Sequence, residues 1–207
     1  MRLLLIRHGE SQANVVGGMD TSAPGPDLTD KGRAQAVSLV ERLADEAVEA
    51  IYTSTLVRTQ QTARPPAEAL GLPVHVRDGL REVRVGKLEA KSDPAAVATY
   101  RSVYREWVEG NPDRVLPGGG ESARQAVARF DVVVREIEAT HPNSTVAVFT
   151  HGSALRLWAV FASDNVTPEF GLAYIDNVSV VVVAGTAQTG RRIIGWDGAA
   201  LPTPSRS

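Results

Sequence analysis

Short apolar runs alternate along the chain with longer stretches in which apolar residues recur at helical spacing. A short apolar run bounded by turn residues is typical of a buried strand, and a 3.6-residue repeat is typical of an amphipathic helix. The runs predict strands at residues 2–6, 50–53, 74–76, 145–150, 177–183 and 191–196. The helical repeats predict helices at residues 29–47, 56–70, 94–109, 121–140 and 153–161. Strands that alternate with helices and end in a hairpin predict a three-layer α/β/α fold with a mostly parallel mixed sheet.

The helical repeats also predict caps and core positions. Thr29 should cap the first long helix, because threonine side chains accept hydrogen bonds from free amides at helix starts. The apolar positions of that helix are Ala36, Val37, Leu39, Val40, Leu43 and Ala47. On the helix after residue 152, Trp158 and Phe161 share a face, and we interpret both as core.

The pattern changes between residues 80 and 120, where glycine and charge are frequent. We expect one domain over residues 1–207, with residues 83–120 as a cap-like insertion over a site. The amphipathic segment 94–109 carries Tyr100, Tyr104 and Trp107. These aromatic residues fit the core of the insertion and the wall of a substrate pocket equally well.

Composition narrows the classes of function. The 207 residues carry a net charge of -2, so bulk charge favours neither nucleic acid nor an anionic membrane as partner. Cysteine is absent, which excludes disulfides, thiolate metal sites and cysteine nucleophiles. No apolar run reaches the length of a membrane span, and the N-terminus is predicted to be a strand rather than a signal peptide. We therefore expect a cytoplasmic protein, as a monomer or homodimer.

Two of the four histidines follow an apolar strand and precede a glycine. They are His8, in Arg7-His8-Gly9, and His151, in His151-Gly152. Ligands of α/β sheets bind beyond the carboxyl ends of the strands. The pattern therefore favours two imidazoles at one sheet edge, although two unrelated turns would give the same sequence.

Arg58 lies in the first turn of the second predicted helix, where a cation opposes the helix dipole. This position favours a nearby anion, with a solvated surface arginine as the alternative. Arg7 and Arg58 together could hold a phosphoryl group. A histidine between them would stay neutral and could attack phosphorus, while a second histidine stabilises the phosphoryl oxygens. Glu82 could protonate the leaving oxygen, unless it is an ordinary solvated glutamate.

An ordered set of motifs resembles the histidine phosphatase superfamily, also called phosphoglycerate-mutase-like proteins. The motifs are Arg7-His8-Gly9-Glu10, Ser54-x-x-x-Arg58-Thr59-x-Gln61-Thr62-Ala63, Leu80-Arg81-Glu82 and Thr150-His151-Gly152. The resemblance implies a phosphomonoester hydrolase in which His8 is phosphorylated and Glu82 donates the proton. It implies a phosphate pocket of Arg7, Arg58 and His151, with contacts from Asn14 and Gly152 and a nearby Asn177.

Two stretches depart from the family pattern. Residues 86–91 lack the expected tryptophan and second glycine, and the loop at residues 17–26 is rich in proline. Both would hold the substrate rather than the transferred phosphoryl group, so the resemblance names no substrate beyond a small phosphomonoester.

Two other functions remain open. A phosphoglycerate mutase would use the same pocket, although such mutases are typically longer, with a more basic insertion. A non-catalytic phospho-ligand-binding protein would keep the fold, although its histidines or Glu82 would be expected to be lost. His75 and His141 are interpreted as structural. No metal-ligand spacing or nucleotide loop occurs, and we expect no cofactor and no metal.

Overall fold

Seven strands form one mixed sheet in the computed structural model, which describes residues 1–196 and the backbone of residues 199–200. The strands are β1 (Arg2–Arg7), β2 (Val48–Thr53), β3 (Val74–Val76), β4 (Thr145–Thr150), β5 (Val180–Ala184), β6 (Arg192–Trp196) and β7 (Ala199–Ala200). Their order is β3-β2-β4-β1-β5-β6-β7. The first four strands are parallel, and β5 to β7 continue the sheet in antiparallel pairs. This confirms the predicted fold class.

Helices cover both faces of this sheet. They are α1 (Gln12–Val16), α2 (Asp30–Leu43), α3 (Val57–Leu70), α4 (Pro94–Glu109), α5 (Ala123–Thr140), α6 (Gly152–Ala162) and α7 (Pro168–Leu172), with single 3₁₀ turns at Asp78–Leu80 and Gly86–Leu88. Alternate residues of β1 enter different cores, because strand side chains point to opposite faces. Leu3 and Leu5 pack in the core that contains residues of α4, α5 and α6. Leu4 and Ile6 pack with residues of α2 and α3.

Local capping explains where several helices begin and end. Thr29 accepts a hydrogen bond from the Gly32 amide at 2.9 Å, as predicted from its type and position. Gly71 ends α3 in the left-handed conformation, at φ 67°. Ser122 and Gln125 form a capping box at the start of α5.

The structure differs from four of the expectations, two about the ends of elements and two about buried positions. Helix α2 ends at Leu43, so Ala47 lies beyond it, with φ 48°. Val37 points to solvent with 59% exposure, because it lies outside the buried stripe of Ala36, Leu39 and Leu43. Strand β5 begins at Val180, so Asn177 lies in the turn before it.

The fourth error concerns α6. Trp158 is fully buried and packs 5.5 Å from the ring of Phe130. Phe161 is 42% exposed, because it lies in the last turn of the helix, on a groove that Val127 and Ala162 also line.

Residues 83–120, which include α4, pack into the core on the face of the sheet that α5 and α6 cover. Their buried side chains include Val83, Val85, Leu88, Val103, Tyr104, Trp107 and Leu116. In the described part of the chain, no helix is long and apolar enough to cross a membrane.

Candidate active site

Parallel pairing of β1 with β4 brings the two His-Gly turns together. Arg7 is in register with Thr150, and the His8 amide donates to the Thr150 carbonyl at 3.0 Å. The next residue after each strand end is therefore a histidine at the same sheet edge. The rings of His8 and His151 lie 5.2 Å apart at 60°.

The turn after His8 requires glycine because it passes very close to helix α2. A Cβ on Gly9 would lie 2.6 Å from the Gly32 carbonyl oxygen, and a Cβ on Gly32 would lie 2.0 Å from that of Glu10. The Gly9 amide donates to Thr62 Oγ1 on α3 at 3.0 Å. Helices α2 and α3 thus hold the His8 turn in place.

His8 presents Nε2 as the atom with a free electron pair. Its Nδ1 lies 2.7 Å from the Gly9 carbonyl, which can only accept, so Nδ1 carries the proton. Nε2 accepts a hydrogen bond from Arg58 Nε at 3.1 Å, in agreement with this tautomer. Burial, followed by the charges of Arg58 and Arg7, holds the pKa of His8 well below its usual value. The imidazole is therefore a neutral base.

Arg58 is buried in the first turn of α3 and points at His8. Its Nη2 donates to the Asp20 carbonyl at 3.0 Å, and its Nη1 lies 3.9 Å from Asp20 Oδ1. Arg7 donates from Nη1 to the Ile175 carbonyl and contacts the Tyr174 hydroxyl at 3.4 Å. The two guanidinium groups thus lie near His8.

Gly152 makes room for Arg7. A Cβ at this position would lie 3.3 Å from Arg7 Nε, which is closer than Cβ atoms in proteins usually come to a neighbouring atom. Gly152 is also the first residue of α6, where backbone amides lack helical partners. It therefore lines the pocket with its backbone.

His151 is fully buried, and its ring lies beside that of His8. Ser54 Oγ lies 2.8 Å from His151 Nε2 and accepts from the Leu56 amide at 3.1 Å. Ser54 Oγ also lies 3.0 Å from Thr59 Oγ1, and either hydroxyl of that pair can be the donor. Nδ1 has no partner among the described residues. Burial, then Arg58 and His8, hold the pKa of His151 well below its usual value.

Glu82 lines the pocket at the N-terminus of α6. Its Oε1 accepts from the Ala154 amide at 2.9 Å, and its Oε2 accepts from the Ser153 amide at 3.1 Å. Arg129 fixes the backbone by donating to the Glu82 carbonyl at 2.9 Å. Glu121 is buried and accepts from Arg129. Neither Arg129 nor Glu121 was assigned a role from the sequence.

The two asparagines have different positions. Asn14 is exposed and lines the pocket, and its Oδ1 accepts from the Ser11 amide at 3.0 Å. Asn177 donates to the His8 carbonyl at 2.9 Å and to Asn14 Oδ1 at 3.3 Å. Asn177 therefore supports the His8 backbone, and the amide nitrogen of Asn14 is left to face the pocket.

Six of the predicted site residues line a pocket of ≈ 170 Å³: Arg7, His8, Asn14, Arg58, Glu82 and Gly152. His151 is not part of this lining and lies beside His8. The three aromatic residues of α4 are divided between wall and core. Tyr100 lines the pocket and donates to Ser153 Oγ at 2.6 Å, whereas Tyr104 and Trp107 are buried in the core. Sequence reasoning did not identify four further pocket residues, Asp20, Thr21, Arg156 and Tyr174.

The other two histidines lie together away from the pocket. His141 Nε2 lies 3.1 Å from the Tyr52 hydroxyl, and the His75 ring lies 5.0 Å from that of Tyr52. Both therefore pack against one buried tyrosine, as expected for structural residues. Within residues 1–196, no group of three or more His, Cys, Asp and Glu side chains is placed to hold a metal ion.

Comparison with known proteins gives consistent matches. The model of the histidine phosphatase superfamily (branch 1) matches residues 3–196. Phosphoserine phosphatase 1 of Hydrogenobacter thermophilus is 35% identical over 156 residues, which cover 75% of this chain and 73% of that protein. A probable phosphoglycerate mutase of Cronobacter sakazakii is 32% identical over 155 residues, which cover 75% of this chain and 71% of that protein.

A similar solved structure is that of a mycobacterial glucosyl-3-phosphoglycerate phosphatase in complex with VO3. It has a TM-score of 0.82 and 26% identity, and the match covers 96% of this chain and 99% of that one. The likeness therefore extends over the sheet, both helical layers and the segment at residues 83–120.

Proposed function

The chain belongs to the histidine phosphatase superfamily (branch 1), and we propose that its phosphatase activity proceeds through a phosphohistidine on His8 without a metal ion. The observation that carries this proposal is the state of His8. Its Nε2 is unprotonated and accepts a hydrogen bond from Arg58, its ring is neutral, and two guanidinium groups lie near it. A neutral imidazole among cations is a nucleophile placed where a phosphoryl group would bind.

In the proposed binding step, Arg7 and Arg58 hold the phosphoryl oxygens. The Asn14 amide nitrogen and the Gly152 amide contribute further hydrogen bonds. Arg58 Nε must release His8 Nε2 and turn to a phosphoryl oxygen, which frees the electron pair for attack. His151 then donates from Nδ1 to the phosphoryl group as its charge is redistributed.

In the first chemical step, a bond forms between His8 Nε2 and phosphorus while the ester P–O bond breaks. Glu82, protonated in this step, gives its proton to the leaving alkoxide. In the second step, water attacks phosphorus and Glu82 takes a proton from it. The P–N bond breaks, which returns His8 to its starting form and releases inorganic phosphate.

Hydrolysis is favoured over mutase chemistry by the charges of the segment at residues 83–120. Arg84 lies 3.6 Å from Glu121, and Arg114 pairs with Glu106. Glu121 also pairs with Arg81 and Arg129, but over residues 83–120 six Lys and Arg side chains are met by five Asp and Glu side chains. The segment therefore lacks the excess of basic residues expected of a site for a second phosphate group. The retained His8, Glu82 and His151 argue against a non-catalytic phospho-ligand binder.

We also propose that residues 83–120 act as a cap, because Val85 and Tyr100 from this segment line the pocket. A cytoplasmic location and a monomeric or homodimeric state complete the proposal. Cell fractionation and size-exclusion chromatography test them.

The test of the mechanism compares His8→Ala with His75→Ala, a matched change at a remote histidine. Wild-type protein and His75→Ala should turn over phosphomonoesters with EDTA present, and His8→Ala should not. With a slow substrate and an alkaline quench, wild-type protein should carry acid-labile phosphate on His8. Turnover by His8→Ala, or turnover without labelled histidine, would overturn the mechanism. Interconversion of glycerate phosphates without release of phosphate would show a mutase.

A further inference from the structure

Asp20 places a carboxylate beside the phosphoryl clamp that the proposed mechanism does not use. It lies in the loop between α1 and α2, where its carbonyl accepts from Arg58 Nη2 and its Oδ1 lies 3.9 Å from Arg58 Nη1. Oδ1 is buried, yet the side chain as a whole is 30% exposed and lines the pocket. The exposed part of the carboxylate, at Oδ2, therefore faces the pocket.

The position of Asp20 is fixed from both sides by residues 89–91. Glu89 accepts from the Thr21 amide at 2.8 Å, from Thr21 Oγ1 at 2.6 Å and from the Ser22 amide at 3.1 Å. On the other side, the Met19 amide donates to the Lys91 carbonyl at 3.0 Å. The two stretches that depart from the family pattern are therefore bonded to each other, and together they hold Asp20.

The other charges of the pocket have assigned partners. Arg7 and Arg58 face the phosphoryl group, and Glu82 serves the leaving oxygen. Arg156 also lines the pocket, but its Nε and Nη1 donate to the carbonyls of Gly152, Gly171 and Ala173. Asp20 Oδ1 faces Arg58, but among the carboxylates that line this pocket Asp20 is the one without a role in the proposed mechanism, so it is available to contact the rest of the substrate.

Resting on the proposed function, we propose that Asp20 determines specificity by selecting leaving groups that carry a hydrogen-bond donor, above all an ammonium group. A fixed carboxylate attracts such a group and repels a carboxylate in the same place, and this repulsion is an efficient means of discrimination. The pocket of ≈ 170 Å³ suits a compact leaving group. The substrate class is therefore a small phosphomonoester of an amino alcohol.

Three two-carbon phosphomonoesters of similar size test this inference: phosphoethanolamine, ethyl phosphate and phosphoglycolate. Wild-type protein should show the highest kcat/KM with phosphoethanolamine and the lowest with phosphoglycolate. Asp20→Asn removes the charge and retains the backbone carbonyl that Arg58 uses. It should lower the ratio of kcat/KM for phosphoethanolamine over phosphoglycolate at least about tenfold. Asp30→Asn is the control, because it removes the same charge from a side chain that is 99% exposed.

The outcomes separate this inference from the proposed function. An unchanged ratio in Asp20→Asn, or an equal loss with all three substrates, would overturn the role of Asp20. If the asparagine variant does not fold, the same ratio is measured in Asp20→Ser, and the preference of wild-type protein among the three substrates is the second test. If wild-type protein hydrolyses p-nitrophenyl phosphate through His8 but prefers phosphoglycolate, the specificity role of Asp20 is refuted and the proposed function stands. Wild-type protein that hydrolyses no phosphomonoester refutes the proposed function.

Discussion

Arg58 Nε donates a hydrogen bond to Nε2 of His8 over 3.1 Å, so the proposed phosphate clamp directly contacts the proposed nucleophile. The contact occupies the electron pair that must attack phosphorus. Arg58 is also the first charge, after burial, among the causes that lower the pKa of His8. One side chain thereby keeps the nucleophile neutral and, by moving to the phosphoryl group, makes it available.

Arg58→Ala should lower kcat by about 10²–10³, the usual cost of removing one preorganised donor from a developing negative charge. The loss should be similar for alkyl and aryl phosphates, because the phosphoryl group is common to both. The kcat of Arg58→Lys should lie between those of wild-type protein and Arg58→Ala, because an ammonium group keeps the charge but lacks the planar pair of donors of a guanidinium group. Steady-state kinetics with both substrates measures the effect.

Arg64→Ala is the matched control for Arg58. It lies on the same helix, pairs with Glu68 and is 78% exposed. Its activity should equal that of wild-type protein. Full activity in Arg58→Ala would show that Arg7 alone holds the phosphoryl group.

The buried histidines should make the fold sensitive to acid. The pKa values of His8 and His151 are held well below 6.5, while in the unfolded chain they return to about that value. Below pH 6.5 the unfolded state therefore binds more protons, and the free energy of unfolding falls as pH falls. Each histidine contributes a slope of at most about 1.4 kcal/mol per pH unit, until the pH reaches its folded pKa.

Urea unfolding between pH 7.5 and 5 measures this slope. His8→Asn should have a smaller slope than wild-type protein, and His75→Asn should not. A free energy of unfolding that stays constant over this range in wild-type protein would contradict the neutral state assigned to both rings.

Ser54→Ala should reduce kcat by about tenfold while KM changes little. The variant removes the hydroxyl that is hydrogen-bonded to His151 Nε2, and this buried nitrogen is left without its partner. Unfolding should become easier by about 1 kcal/mol. Thr55→Ala is the control, because its hydroxyl bonds the exposed Asp78 and not a site histidine. Equal kcat in the two variants would limit Ser54 to a structural role.

The histidine pair could be placed from sequence because two apolar strands each end in His-Gly. Parallel neighbours in register put whatever follows them at one edge, and Arg7 is indeed opposite Thr150. Helix starts were equally accessible where a capping side chain marks them, as at Thr29. Such features depend on residues close together in sequence or on the regular geometry of a sheet.

The loop contacts could not be placed in the same way. Thr21 and Glu89 are 68 residues apart, and no local pattern shows that they bond. Asp20 gains its position through that bond, through the bond of Met19 to Lys91 and through Arg58. The same limit applies to Arg129, which holds Glu82 through a backbone carbonyl that sequence patterns do not reveal.

Glu82→Gln separates proton donation from phosphate binding. An alkoxide needs a proton as it leaves, and general acid catalysis contributes about 10²–10⁴-fold, whereas p-nitrophenolate leaves well without a proton. The variant should therefore slow the hydrolysis of alkyl phosphates greatly and that of p-nitrophenyl phosphate much less. Arg58→Ala should slow both alike, so the ratio of the two rates distinguishes the roles.

The same substitution also removes one acceptor from the amides of α6. Glutamine can accept from Ser153 or Ala154 but not from both through separate oxygens, so unfolding should become easier by about 1 kcal/mol. Thermal unfolding checks that this loss is small enough to leave the site folded. If Glu82→Gln slows both substrates equally, Glu82 acts by positioning α6 and another acid must donate. Asp20 would then be the candidate, because among the described residues it is the other acid that lines the pocket.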